Sequence, residues 1–227
     1  RMEVSPPWST DWINEKNRVI HRTGWVILRF LFPAVTIGFL LIYLFDVITQ
    51  PQFLSGLTVF LALTLAISKK LMPAWNKLGK ISEELESFAD SIRHIETASF
   101  TDEGLNRLKA SFTSKDGKKA SIQIVALKKI MDRLDYRLNP VVFIPLSIFL
   151  CWDLQQVFAL EKWKNNNKEG IKHWFASLAE LEALASLGNL RFNHPDWVFP
   201  TIEESTAFTG VALGHPLLPE NKRVNNS

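Results

Sequence analysis

The sequence predicts a mainly α protein: a two-helix transmembrane hairpin, then a helical bundle, then short strand-like segments over 193–227. Three observations carry this. Two long apolar runs stand close together, Trp25–Phe45 with Arg29 as its one charge and Phe53–Ser68 with none. Beyond Trp75, apolar residues recur in steps of three and four, the period of one helix face. Glycine is scarce, at 10 residues, and the 11 prolines fall mostly at segment junctions.

Composition bounds the rest. A chain of 227 residues accommodates one or two domains. With 47% hydrophobic and 22% charged residues it is not a disordered chain and can bury a large core. The net charge of +3, from 26 basic and 23 acidic residues, is too small to argue for nucleic-acid binding by itself. A single cysteine, Cys151, excludes an internal disulfide, and its apolar setting predicts a buried, inert thiol. No Cys/His set has zinc spacing.

The hairpin is read over 25–72, after an N-terminal cytoplasmic segment, 1–24. The first run is long enough to cross a hydrocarbon core, and the second becomes so when extended to Met72, with Lys69 and Lys70 snorkelling to the interface. Arg18, His21 and Arg22 precede the pair, Lys69, Lys70, Lys77 and Lys80 follow it, and the turn Asp46–Gln52 has neither Lys nor Arg. The positive-inside rule then puts both ends on the cytoplasmic side of the cytoplasmic membrane, with Trp25 and Tyr43 as interfacial aromatics. Arg29 stands close enough to the inner end to reach headgroups; a transport role built on it has no other support. The alternative is a helix pair buried in a soluble bundle, but both runs lack the polar face such helices show.

The bundle is read over 73–192. Trp75, Leu78, Ile81, Leu85, Phe88, Ile92 and Ile95 form one stripe. Leu105, Leu108 and Phe112 mark a shorter helix capped by Thr101 or Asp102. Asp116-Gly117 is a turn, and Ile124, Leu127, Met131, Leu134 and Leu138 form the next stripe, interrupted at Asn139-Pro140. Val141–Cys151 is too short to span a bilayer and reads as a buried helix continuing through Trp152 to Lys164. Asn165–Gly170 reads as a polar turn before a last helix, Trp174–Gly188. Trp197–Ile202 and Ala207–Leu213 read as strands.

The last helix, with its Leu-Ala-x-Leu-Glu pattern, is followed by Leu213-Gly-His-Pro-Leu-Leu218 and Arg223-Val-Asn-Asn226. This order resembles the DNA mismatch repair MutS family where its lever helices give way to the ATPase domain. Leu138-Asn139, Trp152-Asp-Leu154 and Leu160-Glu-Lys-Trp163 supply a second anchor, and the two cover about Ile81 to Asn226. The resemblance implies a helical lever and, over 193–227, the opening strands of a truncated α/β ATPase domain. It implies ATP and Mg2+ in the parent protein, none bound by this fragment, and a homodimer formed through the ATPase domain.

By the same resemblance, Arg223, Val224 and Asn226 lie where the family holds the adenine of ATP, with Arg223 replacing a usual apolar residue; stacking of its guanidinium on the base is one reading and a solvated side chain the other. His215 and Pro216 shape a turn. The counterpart of the DNA-gripping clamp is the 96–120 region, where Arg107, Lys109, Lys115, Lys118 and Lys119 would meet the phosphates of double-stranded DNA without reading sequence; a solvated loop is the other reading. The family's mismatch-reading Phe-x-Glu element is absent, and no phosphate-binding Gly-x-x-x-x-Gly-Lys-Ser/Thr or other catalytic set occurs in these residues. Glu180, Glu182, Glu203 and Glu204 read as solvated. Two functions follow: a membrane-tethered MutS-like lever coupling ATP to DNA, or a membrane-anchored helical scaffold that binds protein.

Overall fold

The computed structural model describes residues 11–71, 82–114, 117–202, 204, 209–215, 218 and 222–224. These are mainly helical. A short turn of helix, α1 (Asp11–Asn14), precedes α2 (Thr23–Leu44) and α3 (Gln50–Leu71); then come α4 (Ser82–Thr97), α5 (Glu103–Ala110), α6 (Ala120–Leu134), α7 (Pro140–Leu150) and α8 (Trp152–Asn193). The chain divides into two units, Arg1–Ser186 and Leu187–Ser227.

Helices α2 and α3 are each 22 residues long, with mean hydropathies of 2.2 and 1.6. At 1.5 Å per residue each spans about 33 Å, against a hydrocarbon core of about 30 Å. Both are therefore long and apolar enough to cross a membrane, and large apolar side chains such as Phe30, Leu31 and Leu54 are exposed along them. Their seam is aromatic. Phe39 stacks on Phe53 at 5.7 Å and meets Phe60 edge-on at 5.4 Å, while Tyr43 stacks on Phe53 at 4.2 Å. Gly56 lies under the Phe39 ring, so close that a Cβ there would overlap it. Helix α3 starts earlier than the apolar run predicts, because the Gln52 side chain caps it: Thr49 N and Thr49 Oγ1 donate to Gln52 Oε1 at 2.9 and 3.0 Å.

The helical body follows its stripes closely. Leu85 and Ile92 of α4 are buried with Ile124, Leu127 and Met131 of α6 and with Trp163, Ile171 and Trp174 of α8. Trp75, Leu78 and Ile81 lie outside the described residues. Asp102 is the cap of α5, accepting from Leu105 N at 2.9 Å. The turn before α6 closes through Gly117 N to Ser114 O at 2.9 Å, with Gly117 at φ 76, a conformation that favours glycine. The start of α6 is capped from another helix: Glu96 accepts from Ser121 N at 3.1 Å and from Ser121 Oγ at 2.5 Å.

Four expectations are revised. Leu138 leaves the stripe of α6, because the helix tightens into a 3-10 turn over Asp135–Leu138 and turns Leu138 out to solvent. Helices α7 and α8 are not one helix; Cys151 sits in the left-handed region at φ 49, and their axes bend by 81°. Nor is α7 simply buried, since Val141 is 82% exposed. The predicted turn at Asn165–Gly170 is instead mid-helix in α8. Buried Asn167 donates back to Trp163 O at 2.9 Å, and Gly170 makes room for the buried Trp174 ring, where an added Cβ would stand 3.0 Å from Cζ2. Packing outweighs the weak helix propensity of the Asn run.

The second unit opens on the last turns of α8. His194 N donates to Leu190 O at 3.0 Å, Pro195 follows, and the His194 ring stacks on Trp197 at 3.9 Å. The strands expected at 197–202 and 207–213 have no counterpart among the described residues, and Ala207 and Phe208 lie outside them. Val198 and Ile202 are more than nine-tenths exposed. A strand needs a neighbour to pair its backbone, and none of the described residues supplies one.

Replacing Gly56 by Val drives two methyl groups into the Phe39 ring. The hairpin should lose about 1–3 kcal/mol, the usual cost of overpacking, read as a lower thermal midpoint in detergent; an unchanged midpoint refutes the seam.

Candidate functional site

Apart from the Glu96–Ser121 cap, the buried and specifically paired polar groups described so far gather on the first turns of α8, where it meets the hairpin. Pro33, inside α2, has no N–H, so the carbonyl of Arg29 loses its helical donor. Gln155 supplies the replacement: its Nε2 donates to Arg29 O at 2.9 Å and to Leu150 O at 3.3 Å, while its Oε1 accepts from Arg29 Nε at 2.6 Å. The guanidinium also lies 4.2 Å from the Phe158 ring centroid. Arg29 is thus held by two side chains of α8, Gln155 and Phe158.

Two residues before Gln155, Asp153 is buried and accepts a hydrogen bond from Ser68 Oγ of α3. Arg137 Nη2 lies 3.9 Å from the same carboxylate oxygen, Oδ2. Trp152 fixes the corner from outside: its Nε1 donates to Arg133 O at 2.8 Å and its ring stacks on Tyr136 at 5.9 Å. Beneath these groups, Val19, Phe32, Leu71, Cys151, Leu154 and Val157 form a second apolar cluster.

Two turns further on, Glu161 holds the segment that leads into α2. Its carboxylate accepts from three successive backbone amides: Arg18 N at 2.5 Å, Val19 N at 3.0 Å and Ile20 N at 2.8 Å. Lys164 Nζ donates to Glu15 O at 2.8 Å, and Asn17 Nδ2 donates to Asn165 Oδ1 at 2.6 Å. Burial lowers the pKa of Lys164, against the opposing fields of Glu161 and Glu15. The foot of α8 is therefore tied to both helices of the hairpin and to their leading segment.

Arg107, Lys118 and Lys119 are exposed. Lys109 is partly buried and donates through Nζ to Ala98 O at 2.5 Å, just past the end of α4, so its charge serves that helix terminus. Lys115 lies outside the described residues. In the second unit, Leu218 N donates to His215 O at 3.1 Å, and Pro216 and Leu217 lie outside the described residues. Val224 is exposed, Arg223 is half-buried, and Asn226 lies outside the described residues, so no adenine pocket is assembled from the described members. Among the described residues no group of His, Cys, Asp and Glu is arranged to hold a metal ion.

Sequence reasoning missed the foot of α8. Pro33 announces an orphan carbonyl at Arg29, and that signal was readable; that Gln155, more than a hundred residues later, answers it was not. Comparison with known proteins adds nothing to this picture: no family model, curated protein or solved structure matches the chain.

Two outcomes test the joint. Gln155→Leu strands the Arg29 carbonyl and guanidinium, at about 1–3 kcal/mol, and Pro33→Ala, by restoring a helical donor to that carbonyl, should recover about 1 kcal/mol. Strict additivity of the two changes in detergent unfolding would contradict the pairing. Glu161→Ala leaves three amides without an acceptor, so trypsin should cut after Lys16 or Arg18 in the variant well before it cuts the parent chain; equal rates would show that the segment is held by something else.

Proposed function

We propose that this chain is the membrane-tethered lever of a MutS-like, ATP-driven protein, in which α8 transmits the state of a nucleotide-binding domain to a partner gripped by the helical body. The observation that carries the reading is the continuity of α8. Forty-two residues run without a break from the membrane-proximal joint to Asn193, just before the segment bearing the His-Pro turn. At 1.5 Å per residue the rod is about 63 Å long. Packing of Asn167 and Gly170 against Trp163 and Trp174 keeps it helical through Asn165–Gly170, where an isolated peptide would fray.

On this reading both ends of the hairpin face the cytoplasm, in line with Arg18, Arg22, Lys69 and Lys70 flanking it. ATP with Mg2+ binds in the nucleotide domain, where Arg223 and Val224 border the base. Domains of that kind pair into a homodimer. Double-stranded DNA meets Arg107, Lys118 and Lys119 through its phosphates, and no base-reading element accompanies them.

A second reading, a membrane-anchored scaffold for protein partners, is favoured by one specific feature. An apolar groove of about 430 Å³, lined by Ile95, Phe100, Leu105, Leu178, Leu181 and Leu184, opens beside α5. It offers a docking surface to side chains but nothing to a phosphate backbone.

Affinity for duplex DNA measured across a salt series separates the two. For the lever, log K falls with log salt, and replacing Arg107, Lys118 and Lys119 by Ser flattens the slope by up to about 3. Absence of DNA binding at low salt selects the scaffold. In the protein carrying its nucleotide domain, Arg223→Ala should weaken ATP binding several-fold, and unchanged affinity removes that assignment.

A further inference from the structure

Helix α7 is built for a setting other than water. Its only polar side chain, Ser147, is buried, and Phe143 and Ile148 are buried beside it, where α7 packs on α2 and α3. The opposite side exposes Val141, Val142, Ile144 and Pro145, directly after exposed Leu138. A helix that is apolar all round is either covered on every side or bathed in lipid, and this one is covered on one side only.

Both ends of α7 are closed within the protein. At its start, Asn139 Oδ1 accepts from Val141 N at 3.1 Å, and Pro140 occupies a position that needs no donor. At its end, Thr36 Oγ1 of α2 donates to Phe149 O at 3.0 Å, and Gln155 Nε2 donates to Leu150 O. Closure of this kind is what hydrocarbon demands and water does not.

The register of these bonds gives a depth. Thr36 lies about 20 Å along α2 from Thr23, near the middle of a span. Arg137, just before α7, instead lies 3.9 Å from Asp153, just after it, and Asp153 accepts from Ser68 in the last turn of α3. Helix α7 therefore starts beside the open end of the hairpin and finishes beside its middle, where Cys151 turns the chain by 81° into α8. Pro145 removes the helical donor to Val141 O at the shallow end, where headgroup water can replace it.

We propose that α7 is a re-entrant helix: it enters the bilayer on the side of the hairpin's two free ends, presents Val141, Val142 and Ile144 to the acyl chains of that leaflet, and turns back at Cys151. The inference rests on the reading that α2 and α3 cross the membrane, and it adds a third membrane element to them. The foot of the lever then stands in lipid as well as in protein.

The test places nitroxide labels, one at a time, at Leu138→Cys, Val141→Cys and Ile144→Cys of α7, at Leu63→Cys of α3 and at Lys129→Cys of α6, in the full chain in phosphatidylcholine vesicles. Native Cys151 is 2% exposed and stays unlabelled. Relaxation by oxygen, which concentrates in lipid, is compared with relaxation by a water-soluble nickel chelate. The α7 and Leu63 labels should favour oxygen, with depth increasing from Leu138 to Val141 to Ile144, and Lys129 should favour nickel. Labels on α7 that favour nickel, or that share one shallow depth, overturn the re-entrant helix while Leu63 in lipid leaves the spans intact. Leu63 favouring nickel removes the spans and the re-entrant helix together. In the unsubstituted chain, a diazirine-bearing phospholipid should crosslink to the 138–150 peptide; crosslinks confined to α2 and α3 overturn the proposal independently of any variant.

Discussion

A backbone carbonyl in apolar surroundings must find a donor, and at Arg29 its own helix cannot provide one. Pro33 removes the N–H that would have served it, and Gln155 arrives from α8 to take that place while also binding the Arg29 side chain. This three-way contact sets where α8 begins relative to the hairpin. The neighbouring pairs, Asp153 with Ser68 and Glu161 with the amides of residues 18–20, are in reach only because α8 is held there. Remove that register and the second apolar cluster, Val19 with Phe32, Leu154 and Val157, loses its alignment as well.

The helical body depends on a different force. Its core is apolar burial: Trp174, Phe112, Ile92 and Ile124 are almost wholly enclosed, and each large side chain of this kind contributes about 1.5–3 kcal/mol. Helix α8 takes part in both regimes. Near Trp152 it is held by directional polar bonds at the hairpin; from Leu160 to Leu181 it is held by packing against α4 and α6. Specific bonds therefore hold α8 at its foot and a close-packed core holds it as far as Leu181, beyond which residues 182–193 are exposed.

The helical body and the hairpin were largely legible in the residues. The stripes Leu85–Ile92 and Ile124–Leu134 entered the core as their spacing implied, and both apolar runs became helices of spanning length. The misreadings share one cause. Asn165–Gly170 looked like a turn because Asn and Gly are poor helix formers in isolation, yet Asn167 and Gly170 are there to serve Trp163 and Trp174. Val141–Lys164 looked continuous because nothing in the apolar pattern marks Cys151, whose left-handed backbone breaks the helix. For the candidate site, the exposed cations Arg107, Lys118 and Lys119 could be listed from the chain, but that Lys109 is occupied by the Ala98 carbonyl could not.

Local chemistry alone determined which segments are helical and which faces are apolar, since a period of 3.6 residues and a run without charge are properties of neighbours along the chain. Only the tertiary structure decided how those helices are joined: that α8 is unbroken, that α7 is set across it, and that Gln155 answers Pro33. Each of those outcomes rests on a bond or contact between residues far apart in the sequence, and such pairings leave no periodic trace in it.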